Sequence, residues 1–156
     1  MTTPTAPATR GTERFLASEL AGEANFLIAR ARSRGSAEAN ARLAPLGLRV
    51  RSYSVLSLAC SGLHPTQREL AEFLSLDPSQ IVALVDNLEK DGHVRRIPDP
   101  NDRRSKLIDS TEAGQALYER ARALTCESEA LSLAGLSAAE QRQFLALLNK
   151  AAFPPN

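Results

Sequence analysis

The chain has 156 residues, of which 43% are hydrophobic and 24% charged, and its formal net charge is +1. This composition is that of an ordinary globular domain and excludes a disordered or collagen-like chain. The longest apolar stretches are only a few residues, too short for a membrane span. A chain of this length can bury a core without a metal or a disulfide. Two cysteines and a Thr/Pro/Ala-rich start without an apolar segment favour a cytoplasmic protein with no signal peptide.

The first predicted elements are helical. We expect residues 1–11 to be a disordered tail, because they offer nothing that can pack. Residues 12–34 carry apolar side chains three and four positions apart, with acidic residues early and basic residues late, which predicts a helix. Gly35 is predicted to end this helix, and Ser36 to cap a short second helix that stops before the break at 45–47.

Two short helices with separate start signals follow a helix predicted over 49–60. Thr66 and Glu69 have the spacing of a capping box, in which each residue bonds the backbone N–H of the other. Asp77, followed by proline, is predicted to cap a second helix over 78–91. A helix, a tight turn and another helix form the layout of a helix-turn-helix.

After Gly92 the hydrophobic period changes from helical to extended. Strands are predicted over 93–97 and 103–109, joined by a turn over 98–102, so that 94–108 forms a β-hairpin wing. Five basic residues stand against two acidic ones in this region: Arg95, Arg96, Arg103, Arg104 and Lys106. A basic hairpin in a nearly neutral chain predicts contact with an anion.

Two helices complete the chain. Thr111 is predicted to cap a long helix, and Ser137 with Glu140 forms a second capping-box sequence before the last helix. The fold class predicted by these elements is mainly α with a small β-hairpin wing.

The exposed face of the helix over 78–91 carries side chains suited to DNA. Gln80 and Asn87 have the amide group that pairs with the edge of adenine, and Val82 and Ala83 can contact a thymine methyl group. Ser79, at the helix start, suits a phosphate. The alternative is that the small side chains face a neighbouring helix.

The wing adds positive charge beside this helix. The side chains predicted to reach a minor groove or phosphates are Arg103, Arg104 and Lys106. Asp86, Asp99 and Asp102 are predicted to orient the wing. Because Asp99 and Asp102 would repel phosphate if unpaired, we expect Asp102, together with Asp86, to pair with one of these arginines and aim it. The alternative is a solvated surface loop.

Taken in chain order, the motifs resemble the MarR family of bacterial transcriptional regulators over about residues 40–125. The motifs are Leu88-Glu89-Lys90-x-Gly92, Asp99-x-x-Asp102-Arg103-Arg104 and Thr111-Glu112-x-Gly114. The resemblance implies a homodimer whose helices over 12–48 and 111–156 form the dimerisation arms. The winged helix-turn-helix domain would span 49–110 and bind a pseudo-palindromic operator on double-stranded DNA.

The resemblance also implies roles for individual residues. Thr66 and Gln67 would contact phosphates, the exposed face of 78–91 would lie in the major groove, and Arg103 or Arg104 would enter the minor groove. Arg95, one of the basic residues of the wing, is also predicted to bind DNA. Family members are typically repressors released by a small aromatic or phenolic acid bound between the arms and the winged domain, or by oxidation of a cysteine.

The sequence also bears on redox chemistry, an effector, catalysis and protein binding. Cys60 and Cys126 are possible redox residues, although inert packing is the simpler interpretation. An acidic effector could meet the arginines at 30, 32 and 34, or those at 42 and 49. No catalytic or metal-binding motif is present, so we expect neither an enzyme nor a cofactor. A winged helix that binds only proteins is a further alternative, but it would carry apolar anchors where this wing is basic.

Overall fold

The structure is a computed structural model, and it describes residues 11–154. The predicted N-terminal tail therefore lies outside the described residues, apart from Gly11. The helices are α1 (Ala24–Leu43), α2 (Val50–Ala59), α3 (Gln67–Leu74), α4 (Pro78–Lys90), α5 (Glu112–Ser132) and α6 (Ala138–Ala152). Short 3-10 turns occupy Gly11–Ala17, Glu19–Gly22 and Ala44–Leu46. Strands β1 (Val94–Pro98) and β2 (Lys106–Ser110) form one antiparallel sheet, so the predicted fold class is confirmed.

The N-terminal region differs from the predicted helix over 12–34. Two 3-10 turns come first, and α1 then runs without a break through Gly35, so Ser36 caps nothing. A Cβ on Gly35 would lie 3.7 Å from the Ser132 hydroxyl, which shows that α1 and α5 pack closely there. Arg42 bonds Glu127 of α5 at 2.7 Å and strengthens this pair of helices. Packing against α5 therefore outweighs the weak helix propensity of glycine.

The core lies between α2, α3, α4 and the sheet. Its fully buried side chains include Leu56 of α2, Leu70 of α3, Ile81 and Val85 of α4, and Ile108 of β2. These apolar faces match the predicted helical periodicity. Burying one face of α4 in this way leaves the opposite face in solvent.

The wing has a first strand of the predicted length shifted by one residue, a shorter second strand and a longer turn than predicted. Val94 pairs with Ser110 and Pro98 with Lys106, so residues 99–105 form the turn. The Asp99 carboxylate accepts the Asn101 N–H at 2.8 Å, and that of Asp102 accepts the Arg104 N–H at 2.9 Å. These bonds hold the turn backbone, which explains why pairing begins only at Lys106.

Capping boxes begin α3 and α6, as predicted. Hydrogen bonds from the Thr66 backbone and side chain lower the pKa of Glu69, and bonds from the Ser137 side chain and backbone lower the pKa of Glu140. A carboxyl with a lowered folded-state pKa stabilises the fold above its unfolded pKa. That contribution is lost as the pH falls through the folded-state pKa.

Replacing Glu69 and Glu140 together by Gln should therefore make the stability of the fold less dependent on pH under acidic conditions. We expect the melting temperature of the double variant to fall less than that of the wild type when the pH drops from neutral to below the ordinary glutamate pKa of about 4.3. Thermal unfolding monitored by circular dichroism across this range measures the difference. Glu129→Gln is the control, since this exposed α5 side chain accepts no hydrogen bond within residues 11–154. Parallel curves for the wild type and the double variant would contradict the prediction.

Candidate nucleic-acid interface

The outer face of α4 is a continuous exposed surface of mostly small and amide side chains, which we call the α4 arc. Its exposed members are Ser79, Gln80, Val82, Ala83, Asp86 and Asn87. Their exposure argues against the alternative that the small residues face a neighbouring helix of this chain. An exposed helix with small central side chains can enter a major groove.

The start of α4 differs in one detail from the prediction. Asp77 occupies the N-cap position, but its carboxylate makes no capping hydrogen bond. Pro78 lacks an N–H, and the Gln80 N–H is bonded at 2.9 Å to the backbone carbonyl of Asp77. The backbone therefore takes the place of the predicted side-chain cap. The Asp91–Gly92 end of α4 is confirmed, with Gly92 at a φ of 77° that favours glycine.

The wing presents four of its five basic residues to solvent, all but Arg96. Arg103, Arg104 and Lys106 are exposed, and none of them forms an ion pair with any residue between 11 and 154. The prediction that Asp86 or Asp102 aims one of them is wrong. Asp102 bonds the Arg104 backbone N–H, and Asp86 bonds Arg96 instead. The free guanidinium groups at the wing are therefore available to an anion.

The remaining predicted contacts are engaged within the chain. The Thr66 hydroxyl donates a hydrogen bond to the Glu69 carboxylate at 2.8 Å. Because a hydroxyl has a single proton to donate, Thr66 has none left for a phosphate while the capping box is intact. The Gln67 carbonyl oxygen accepts from Arg96 at 3.0 Å, which leaves its amide group to donate. Arg95 forms an ion pair with Asp109 at 2.6 Å, with 61% of its side chain exposed.

Arg96, which the sequence indicates only as one of the basic residues of the wing, is the residue that joins the wing to α4. Its guanidinium bonds Asp86 at 2.5 Å, and it also bonds Glu89 and Gln67. Burial opposes its charge, but the hydrogen bonds to Asp86 and Glu89 outweigh burial and raise the pKa of Arg96. A signal existed in the sequence, because residues 86 and 89 share one face of a helix that ends shortly before Arg96.

An open cleft of about 930 Å³ lies between α1, the start of α2 and α4. Three arginines line it, Arg32, Arg49 and Arg51, against one carboxylate, Asp91. Of the arginines proposed for an acidic effector, those at 32 and 49 line the cleft, whereas Arg42 is paired with Glu38 and Glu127. Leu84 and Leu88 of α4 form another wall behind the α4 arc, and Asn87 brings the cleft to the edge of that arc.

The two cysteines lie outside the α4 arc, although Cys60 adjoins Ser110 at the end of β2. Cys60 is half-buried, and burial raises the pKa of its thiol despite a hydrogen bond with Ser110. A raised pKa reduces the thiolate fraction that oxidation requires. Cys126 is exposed on α5. Within residues 11–154 there is no cluster of His, Cys, Asp or Glu that could hold a metal ion, and no helix suited to crossing a membrane.

An exposed helix with DNA-compatible side chains, flanked by a basic hairpin, defines a winged helix-turn-helix protein. The MarR family model matches residues 52–106. A MarR-family transcriptional regulator from Rhodococcus sp. RHA1 is 41% identical, with a TM-score of 0.83 over 89% of this chain and 99% of that chain. CouR from Rhodococcus jostii RHA1, solved with p-coumaroyl-CoA, is 38% identical. Its TM-score is 0.80, over 90% of this chain and 99% of that chain.

A third relative is the HTH-type transcriptional repressor Rv2887 of Mycobacterium tuberculosis. It is 33% identical over 113 residues, which cover 72% of this chain and 81% of the relative. Its structure with DNA superposes with a TM-score of 0.68 over 83% of this chain and 97% of that chain. The chain belongs to the MarR family. It is a DNA-binding transcriptional regulator, and members of this family are dimeric.

Proposed function

We propose that this protein is a ligand-responsive, homodimeric repressor that binds a pseudo-palindromic operator in the bacterial cytoplasm. The observation that carries the proposal is the exposed α4 arc, joined through Asp86 and Arg96 to a wing whose Arg103 and Arg104 form no ion pair within residues 11–154. One element fits a major groove and the other supplies cations to an adjoining minor groove. The basic wing also disfavours the alternative of a winged helix that binds only proteins, since apolar anchors would be needed there.

The residues of the interface take distinct roles in this proposal. Gln80 and Asn87 read adenine edges, Val82 and Ala83 contact thymine methyl groups, and Ser79 holds a phosphate. Arg103 or Arg104 enters the minor groove. The residues assigned to the DNA backbone are Thr66, Gln67, Arg95 and Lys106. The Thr66 hydroxyl can donate to a phosphate only if its hydrogen bond to the Glu69 carboxylate breaks.

The dimer is built in this proposal by the helices over 12–48 and 111–156. In the single chain α6 buries no residue. Large apolar side chains of these helices stay exposed, and we call this set the arm surface: Phe15, Leu16, Leu20, Leu27, Ile28, Leu131, Phe144, Leu145 and Leu147. An apolar surface of this extent is typical of a subunit interface.

The cleft between α1, α2 and α4 is the proposed effector site. Arg32, Arg49 and Arg51 give it a positive field, which favours an acidic ligand. Rv2887 has been solved with salicylic acid, an aromatic acid, and CouR with p-coumaroyl-CoA, a thioester of an aromatic acid. A ligand here would contact α4 from behind through Leu84 and Leu88, and so could change how the α4 arc meets DNA. A thiol switch is the second candidate, and the raised pKa of Cys60 disfavours it.

Selection of bound fragments from random genomic DNA at two salt concentrations tests the proposed function. We expect a palindrome of about 16 to 20 base pairs, with half-sites about one helical turn apart. Weak, sequence-independent and steeply salt-dependent retention would contradict operator recognition. The recovered promoters then provide the operator for testing candidate effectors such as salicylate.

Arg104→Ala should lower the salt dependence of operator binding. Because a cation held against the DNA, on a phosphate or in the minor groove, releases counterions, the slope of log K against log salt should fall by about 0.9 for the lost contact. Fluorescence anisotropy with a labelled operator over a salt series measures this slope. Arg120→Ala removes an exposed cation from α5, remote from the wing, and should leave the slope unchanged. Equal slopes for the wild type and Arg104→Ala would remove Arg104 from the interface.

Gln80→Ala should relax base preference at one position of each half-site. A lost bidentate contact removes about 1 to 3 kcal/mol of discrimination, whereas binding to unrelated DNA should change little. Anisotropy with the operator and with single-base variants separates the two effects. Gln143→Ala on α6 is the matched control. A uniform loss of affinity on every sequence would contradict the role of Gln80 as a base reader.

A further inference from the structure

A carboxylate lies in the middle of the α4 arc, where DNA binding would not be expected to tolerate it. Asp86 is one helical turn from Ala83 and adjacent to Asn87, and 56% of its side chain is exposed. In the proposed complex it faces a groove bounded by phosphates. An unpaired negative charge there would repel the DNA phosphates. This repulsion is only weakly screened, because little salt solution separates the two charges in a closed interface.

The structure supplies the compensating charge from the neighbouring strand. Arg96 of β1 donates from Nη2 to Oδ1 of Asp86 at 2.5 Å, while its other nitrogens bond Glu89 and Gln67. The Arg96 backbone N–H also donates to Glu89 at 2.9 Å. Only 23% of the Arg96 side chain is exposed, so its position is determined by α3, α4 and β1 together.

This pairing leaves one edge of Asp86 available. Oδ1 is occupied by Arg96, whereas Oδ2 accepts no hydrogen bond from the residues between 11 and 154. A carboxylate oxygen in the major groove is suited to accept a hydrogen bond from the amino group of cytosine. Cytosine presents only this donor on its major-groove edge, whereas adenine presents an acceptor next to its donor. Ala83 is small, so the helix can approach closely enough for the shorter aspartate side chain.

We propose that Asp86 is a specificity-determining residue that accepts a hydrogen bond from the N4 amino group of a cytosine in each operator half-site, with Arg96 as its positioning residue. Arg96 cancels the charge of Asp86, orients Oδ2 outward and holds the wing against α4. This inference rests on the proposed function, because it assigns a base to a side chain of the proposed DNA interface.

The first test compares operators selected by the wild type and by Asp86→Asn. The variant keeps the size of the side chain but gains an amide, which suits adenine. We expect discrimination for cytosine at one position per half-site to fall about 5- to 150-fold, the loss that corresponds to one base contact, and adenine to gain there. Glu72→Gln is the matched control: this α3 carboxylate is also paired with an arginine, at 2.9 Å from Arg68, but it lies outside the α4 arc.

The second test separates charge compensation from a purely structural role of Arg96. Arg96→Ala leaves Asp86 unpaired and should weaken binding to every DNA sequence. Adding Asp86→Asn to Arg96→Ala should restore much of this affinity, since the repelling charge is then gone. If Arg96 only supported the fold, the second substitution could not rescue binding, and thermal unfolding of both variants monitors the fold itself.

The outcomes distinguish the inference from the proposed function. If the wild type selects no palindrome, the proposed function fails. If the wild type selects a palindrome and Asp86→Asn selects the same one with unchanged discrimination, the base contact is overturned while the proposed function stands. If Asp86→Asn fails to rescue Arg96→Ala, the positioning role of Arg96 is overturned.

Discussion

Gly114→Ala is expected to lower the free energy of unfolding by about 3 kcal/mol, at the upper end of the usual cost of overpacking. A Cβ at this position would lie 1.9 Å from the carbonyl oxygen of His93 and 2.9 Å from its carbonyl carbon. Both are backbone atoms, so a rotamer change cannot relieve the clash. The chain must instead move the start of α5 away from the residue that links α4 to the wing.

That movement would break further contacts. The His93 carbonyl accepts the Thr111 N–H at 3.1 Å, and the Thr111 hydroxyl donates to the Gly92 carbonyl at 2.6 Å. Thr111 also caps α5 by accepting the Gly114 N–H at 3.0 Å. Displacing Gly114 therefore separates the long helix from the wing.

Urea unfolding at a fixed protein concentration measures the effect, because the stability of a dimer depends on concentration. Gly135→Ala is the control, since a Cβ there meets no atom within 4 Å. We expect that variant to retain wild-type stability or to gain slightly from the reduced entropy of its unfolded chain. Equal stability of the two variants would show that the wing and α5 are not in the described contact.

Leu147→Asp is expected to dissociate the dimer and to weaken operator binding by about 10²- to 10⁴-fold, the usual gain from linking two binding modules. Leu147 is 58% exposed on α6, which buries no residue in the single chain. In the proposed dimer this side chain is covered by the partner, and a charge there would be desolvated without a counterion. Each winged domain would then bind its half-site alone.

Sedimentation equilibrium and anisotropy on the selected operator measure the two effects. Leu63→Asp is the matched control, because Leu63 is 78% exposed in the α2–α3 connection, outside the arm surface. It should leave the protein dimeric. A dimeric Leu147→Asp protein would move the interface away from α6, whereas a monomer that binds the full operator with wild-type affinity would contradict the bivalent mode of binding.

The features predictable from the sequence are those determined by contacts between residues close in the chain. The capping boxes at Thr66 and Ser137 and the end of α4 at Gly92 follow from hydrogen bonds that span a few residues. The buried face of α4 follows from helical periodicity, and the exposed arc is its geometric complement. For this reason Gln80 and Asn87 could be assigned to one surface before any tertiary contact was known.

The features that escaped prediction depend on residues far apart in the chain. Gly35 suggests a helix end, yet α1 continues because it packs against α5 near Ser132, almost a hundred residues later. The partner of Asp86 is likewise decided when the wing folds back onto α4, which places Arg96 rather than Arg103 or Arg104 beside it.

By itself the sequence determined the helix-turn-helix, the basic wing and the family, since local periodicity, capping and motif order specify them. The tertiary structure alone decided the continuous α1, the arginine-lined cleft and the Asp86–Arg96 pair. The physical reason is that packing and charge pairing act between elements, and their geometry exists only once α1, α4 and the wing have been brought together.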